Sequence, residues 1–260
     1  MKGLTSYLVL FVVIILGGCH RVQDREAGIA LSFDDRFIAE WYTLRPLFLE
    51  YDARVTFYIN GDTLGAEELT MLKQLRDDGH EIGFHGTIHG NAALLIENHG
   101  AEGYWNTEIR PGLEFFRRNG FHPTSYAFPG GRSTATADSV LRANGFITLR
   151  DVAKAERYFK GIRLYHIPPS WMPHIYWDFR PRTTFHALQI DRETELSVTE
   201  LQKALRKAKD KGKVLLLFGH QPLPPNPAPD QYGFNIELLS AILKEAQALG
   251  LRYYTMSELK

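Results

Sequence analysis

Disulfide cross-links are excluded, because the 260-residue chain holds one cysteine, Cys19. An excess of either charge is missing as well. Thirty Lys and Arg face thirty Asp and Glu, giving a formal net charge of zero, which argues against a general binder of nucleic acid or polyanions. The sequence has no periodic repeat, no low-complexity tract and no composition shift that would mark a linker between domains. Its longest apolar run, Tyr7 to Leu16, falls well short of the roughly 20 residues that span a bilayer. What remains is a chain 44% hydrophobic and 23% charged, able to bury a sizeable core and of a length that α/β barrels use as one unit.

That apolar run follows Lys2 and fits the hydrophobic region of a signal peptide. It leads into Leu16-Gly17-Gly18-Cys19, which resembles a bacterial lipobox, with Cys19 as the lipidated residue. An ordinary secretory signal with a chance cysteine is the other reading. The expected organisation is a lipoprotein signal peptide over 1–19, a polar tether over 20–27 and one folded domain over 28–260. Lipid chains on Cys19 would hold the protein to a membrane surface. The residue after the cysteine is His20, not Asp, which by resemblance to known sorting rules leaves an outer-membrane destination open.

Strands and helices alternate along the rest of the chain. Ile29 to Phe33 is a buried-strand run, Phe37 to Tyr51 has helical spacing around Pro46, and Arg54 to Ile59 is rich in β-branched and aromatic residues. Helix Glu67 to Asp78, strand Glu81 to Phe84, helix Tyr104 to Asn119, strand Ser125 to Phe128, helix Thr136 to Asn144 and strand Phe146 to Leu149 follow. Beyond Arg150 the pattern loosens into a short strand, Leu164 to Ile167, and an aromatic, proline-rich loop. Strand Phe185 to Ile190, a helix from Ser197 to Lys209 with a Ser197/Glu200 capping box, strand Val214 to Phe218, helix Asn235 to Leu249 and strand Arg252 to Thr255 complete the chain. Such alternation implies a parallel sheet flanked by helices, here a closed or nearly closed barrel with its site at the C-terminal strand ends.

The polar residues that attract attention fall at those ends. Asp34 and Asp35 finish the first strand, where a buried charge is costly unless paired or bound to a metal. His85 and His89 sit four residues apart after the third strand, a pattern that with a carboxylate suits zinc or a similar ion; taken alone, such a pair is more often two surface histidines in a polar loop. His220 follows the Val214 strand, where a lone histidine is usually a structural hydrogen-bonder. Pro129-Gly130 opens a turn whose amides could face an anion.

Taken together, these four stretches resemble the polysaccharide deacetylase family, the NodB-homology domain of carbohydrate esterase family 4. The resemblance spans about residues 28 to 260. It implies a distorted (β/α) barrel of about seven parallel strands and metal-dependent removal of acetyl groups, N-acetyl before O-acetyl, from a polysaccharide or oligosaccharide. By that resemblance Asp34 is the general base and His220 the general acid. Asp35, His85 and His89 hold the divalent metal, zinc first with cobalt or nickel as alternatives, and Gly130 after Pro129 offers its N–H to the oxyanion. Three positions depart from the family pattern. Arg36 replaces a glycine, Gly86 replaces a Ser or Thr that steadies the loop, with Thr87 as a substitute, and Ala127 replaces an arginine that orients the aspartate base. Arg150, read as standing at the end of the next strand, could reach Asp34 instead; pairing with Asp151 on the surface is the competing reading. Trp171, with Tyr176 and Trp177, either stacks on a sugar or packs its loop against the barrel. The partners implied are an acetylated glycan and a membrane reached through the lipid, with no nucleic acid and a monomeric chain. The location implied is the cell envelope, facing periplasm or exterior. Two other readings stay open: an amide hydrolase acting on a non-sugar substrate, and a catalytically silent glycan-binding lipoprotein on the same fold.

Overall fold

A computed structural model describes residues 25–159, 162–182, 184–228 and 230–260. The leader, Cys19 and most of the tether lie outside the described residues. Seven parallel strands close into a barrel: β1 (Gly28–Asp35), β2 (Thr56–Ile59), β3 (Glu81–Phe84), β4 (Ser125–Ala127), β5 (Thr148–Ala153), β6 (Phe185–Gln189) and β7 (Val214–Gly219). β1 pairs with β2 on one side and with β7 on the other, from Gly28 opposite Val214 to Phe33 opposite Gly219.

Side-chain alternation divides the core in two. Ile29, Leu31 and Phe33 of β1 and Leu215 and Leu217 of β7 face outward, into the layer under the helices. Ala30 of β1 and Val214, Leu216 and Phe218 of β7 belong to the barrel interior, as do Tyr58 and Ala127. Both faces of β1 are therefore buried, which is why its sequence reads as an unbroken apolar run. At the N-terminal end, strand Arg252–Tyr254 adds to Gly28–Ala30 of β1, and the two-residue strand Tyr176–Trp177 runs antiparallel to Val214–Leu215. Trp177, Tyr254, Met256 and Leu259 fill that end from below. Trp177 thus packs the barrel floor, while Tyr176 faces the outer layer, its hydroxyl donating to Ala204 O at 3.3 Å.

Most elements lie within a residue or two of their expected bounds, and the exceptions have local causes. The helix expected over 37–51 is two short ones, Ile38–Tyr42 and Arg45–Glu50, because Pro46 can sit only in the first turn of a new helix. Before the expected helix at Tyr104 lies another, Ala92–Tyr104, capped by Asn91 accepting from Leu94 N and kinked at Gly100, whose φ is 70°. The kink and one further glycine, Gly103, disguised its period. β5 runs on to Ala153, so Arg150 lies inside a strand, and a hairpin of Glu156–Phe159 and Ile162–His166 follows it.

Gly83 of β3 faces the barrel interior, where an added Cβ would fall 2.5 Å from the Tyr58 ring and 2.8 Å from Ser125 Oγ. Tyr58 is fully buried and cannot yield cheaply. Overpacking of this kind costs about 1–3 kcal/mol. Gly83→Ala is therefore expected to lower the thermal midpoint by roughly 2–10 °C in a scanning calorimeter, and an unchanged midpoint would contradict the packing described.

Candidate active site

β1 presents its two carboxylates differently. Alternation sends Asp34 into the barrel, where it is 2% exposed, while Asp35 turns toward the mouth with φ at 83°. An aspartate tolerates that left-handed conformation better than most residues, at a cost of about 1–2 kcal/mol. Across the barrel, Ala127 of β4 is the register neighbour of Arg150 in β5, so both belong to the inward-facing row. Arg150 is fully buried, and its Nη2 contacts Asp34 Oδ2. Its guanidinium carbon lies 4.3 Å from the Phe218 ring centroid and 5.4 Å from that of Tyr58, which helps to accommodate a buried cation. The other carboxylate oxygen, Asp34 Oδ1, is buried with no hydrogen-bond partner among the described residues. Asp151, the alternative partner for Arg150, is engaged instead by Ser133.

His85 follows β3 directly and is 1% exposed. Its Nδ1 lies 2.8 Å from the Ala127 carbonyl, and since a carbonyl can only accept, this nitrogen carries the proton. Nε2 is then a lone-pair donor, 3.6 Å from Asp35 Oδ1 and 3.8 Å from Asp34 Oδ2. The chain turns sharply at Gly86 (φ 85°) and again at His89 (φ 55°). This brings His89 Nε2 to 3.2 Å from Asp35 Oδ1. Asp35, His85 and His89 each offer one ligand atom, all within 4.8 Å of one another. One carboxylate and two imidazole nitrogens converging at that spacing fit a divalent cation with positions left over for water and substrate.

His220 comes from the loop after β7. Trp41 Nε1 donates to its carbonyl at 2.7 Å, and Asp191 accepts from both its backbone N (3.0 Å) and its Nδ1 (2.6 Å). Asp191 is itself held by Gln189 Nε2 at 3.0 Å. That arrangement fixes Nδ1 as the protonated nitrogen and leaves Nε2 toward the cavity, with the Tyr232 hydroxyl 3.3 Å away. Asp191 was legible in the sequence as another carboxylate at a strand end, just past Ile190. Nothing local marked Gln189 or Tyr232, which reach the site only through the fold.

A cavity of about 250 Å³ joins these groups and is lined by Asp34, Asp35, His85, His89, Gly130 and His220 among others. Gly130, in the turn Pro129–Gly131, has φ 62°. Trp171 does not line this cavity. It is 75% exposed on the turn Pro169–Trp171, next to Ser170, whose carbonyl accepts from Lys207 of the outer helix Val198–Asp210. Arg36, at the position where the family pattern has a glycine, pairs with Glu68 at 2.9 Å.

The surroundings drive the titratable groups apart. Burial pushes His85 down to about 4 despite the neighbouring aspartates. The hydrogen bond to Asp35 raises His89 above the usual imidazole range. For His220 burial works downward, but the Asp191 hydrogen bond and charge outweigh it and raise it. Burial also works against ionised Asp35, yet His89 and the other imidazoles hold it below the ordinary carboxylate value.

Residues 21–149 match the family model for polysaccharide deacetylase. Among solved structures the chain is similar to the chitin deacetylase of the fungal pathogen Colletotrichum lindemuthianum. That likeness has a TM-score of 0.56 at 16% identity, covering 90% of this chain and 87% of the other. It is similar also to the carbohydrate esterase 4 domain of a multidomain xylanase from the hindgut metagenome of Trinervitermes trinervoides, with TM-score 0.53, 17% identity, and 90% and 89% covered. A third likeness is to the catalytic domain of a peptidoglycan N-acetylglucosamine deacetylase from Eubacterium rectale, with TM-score 0.52, 14% identity and 90% of each chain covered. None of the curated proteins matches the sequence.

The imidazoles provide a direct check of the electrostatics. In the metal-free protein, ¹⁵N resonances should report His85 as a neutral Nδ1–H tautomer that takes up no second proton above pH about 5, because its folded value lies near 4. His89 and His220, both raised, should titrate above the ordinary imidazole value. Titration of His85 between pH 6 and 7 would contradict the burial and tautomer described.

Proposed function

We propose, from the match of residues 21–149 to the polysaccharide deacetylase family model, that the chain hydrolyses acetyl groups, N-acetyl in preference to O-acetyl, on a cell-envelope or extracellular glycan. The observation that carries this reading is the convergence of Asp34, Asp35, His85, His89 and His220, from the ends of β1, β3 and β7, on one cavity. A divalent cation at Asp35, His85 and His89, zinc first and cobalt or nickel next, supplies Lewis-acid polarisation of the acetyl carbonyl and a water acidified toward neutrality. Everything else is the work of the chain's own residues.

Asp34 acts as general base. Arg150 occupies one of its oxygens and leaves Oδ1 to receive a proton from the attacking water. The water oxygen bonds to the acetyl carbon, and the backbone N–H of Gly130 takes part of the charge that develops on the carbonyl oxygen. His220 then donates its Nε2 proton to the leaving nitrogen as the carbon–nitrogen bond breaks, releasing acetate and an amine. An amine cannot leave as an anion at neutral pH, so this step needs an acid that stays protonated. Asp191 provides for that by raising His220. That is the physical argument for an amide substrate before an ester one. Asp191 also fixes which ring nitrogen faces the leaving group.

Lipidation of Cys19 would anchor the protein at its N-terminus. β1 starts at Gly28 on one end of the barrel and delivers Asp34 and Asp35 at the other, so the mouth would face away from the attachment point. This suits a glycan of the envelope or exterior, on the periplasmic or outer side of the anchoring membrane, which can be the outer one.

The test is acetate release from acetylated oligomers of peptidoglycan, poly-N-acetylglucosamine, chitin and xylan, assayed side by side. Activity is expected on at least one, lost on chelation, restored by zinc or cobalt, and reduced roughly 10²–10⁴-fold in Asp34→Asn and His220→Ala. Sugar binding without acetate release from any oligomer would overturn the enzymatic reading. Release from non-sugar amides alone would overturn the glycan.

A further inference from the structure

We infer that Glu108 is the positioning residue of the His85–His89 loop, its buried carboxylate holding the backbone on both sides of His89 so that the imidazole is set for a divalent cation. The inference rests on the cation reading of Asp35, His85 and His89 and adds to it a residue outside the cavity lining.

The loop hangs from one short segment. Glu108 is fully buried in a π-helical turn, Trp105–Ile109, between helices Ala92–Tyr104 and Arg110–Arg118. Single π-turns of this kind are often found at functional sites. Glu108 Oε2 accepts from Ile88 N at 3.1 Å and Oε1 accepts from Gly90 N at 3.0 Å, the two amides that flank His89. The Glu108 main-chain carbonyl accepts from Thr87 N at 2.7 Å, and Thr87 Oγ1 accepts from Gly112 N at 3.0 Å. Four hydrogen bonds thus fix residues 87–90 against 108–112.

His89 needs such a frame, since its φ of 55° is a conformation that a free loop would leave. Glu108 also accounts for Gly86. A Cβ built there would fall 1.9 Å from Glu108 Oε1, so the carboxylate fills the space that any side chain at position 86 would require. A steadying hydroxyl at 86 and a carboxylate at this point exclude each other, and this chain has the carboxylate. Glu108 makes no contact with the reacting groups; it acts through His89, as outer groups act on metal ligands generally.

Metal-free wild type, Glu108→Gln and Glu108→Ala should be titrated with Co²⁺ at a temperature where calorimetry shows each folded, with amide hydrogen exchange followed in parallel. Affinity is expected to fall about 10–100-fold in Glu108→Ala, and by less in Glu108→Gln, which keeps one acceptor. The Ile88 and Gly90 amides should be protected in the wild type and lose protection in Glu108→Ala. The His85 amide, bonded to Ile59 O, should stay protected. Should Glu108→Ala not fold, Glu108→Gln and the wild-type exchange decide the matter. Wild-type affinity in a folded variant, or unprotected Ile88 and Gly90 amides in the wild type, overturns the inference and leaves the cation site standing. A wild type that takes up no Co²⁺ overturns the cation reading, and this inference falls with it.

Discussion

The buried contact between Arg150 and Asp34 is the constraint on which the rest of the site depends. Both side chains lie inside a barrel otherwise filled by Ala30, Tyr58, Leu216 and Phe218. A lone charge there would be expelled or neutralised, and removing one partner of such a pair typically costs about 3–5 kcal/mol. The pair permits an ionised carboxylate to sit where water is scarce. Only one Asp34 oxygen is taken by the guanidinium, and the other is buried without a partner among the described residues, in a side chain that lines the cavity. The aromatic faces of Phe218 and Tyr58 accept the remainder of the arginine's charge. Ala127 and Arg150 are register neighbours on adjacent strands, so the position that the resemblance assigns to an arginine lies beside the residue that contacts Asp34.

Around that pair, environment divides labour among three imidazoles with identical intrinsic chemistry. His85 is sealed against Ala127 O and kept neutral, which suits the cation ligand proposed for it. His220 is backed by Asp191 and raised, which suits the acid role proposed for it. His89 stands between them, half exposed and leaning on Asp35, and depends on its loop for orientation. The distinctions are made by burial for His85 and by carboxylate partners for the other two, Asp35 for His89 and Asp191 for His220.

Much of this was legible in the sequence because it follows from local rules. The apolar run before Asp34, the alternating elements and the strand-end position of each candidate residue specified a parallel barrel and its reactive end. Less legible were features that arise only when distant segments meet. Arg150 read as a strand-end residue, and β5 continues to Ala153 because Arg150 to Ala153 pair along one edge with Phe185 to Leu188 of β6. Glu108 sits in a helical stretch with no signal distinguishing it from a surface acid, yet it is fully buried. Trp171 suited a sugar subsite or loop packing equally by residue type, and it is exposed and not among the residues lining the cavity. Residue type suggests chemistry; only packing decides where it is used.

The central claim is that Arg150 does for Asp34 what an arginine at position 127 would do. It is tested most directly by moving the arginine. Acetate release on the best oligomer should be compared for wild type, Arg150→Ala and the double variant Ala127→Arg/Arg150→Ala, each checked for a cooperative thermal transition. The account expects Arg150→Ala to lose about 100-fold or more in kcat, and the double variant to recover a large part of that loss. Full activity in Arg150→Ala would contradict it.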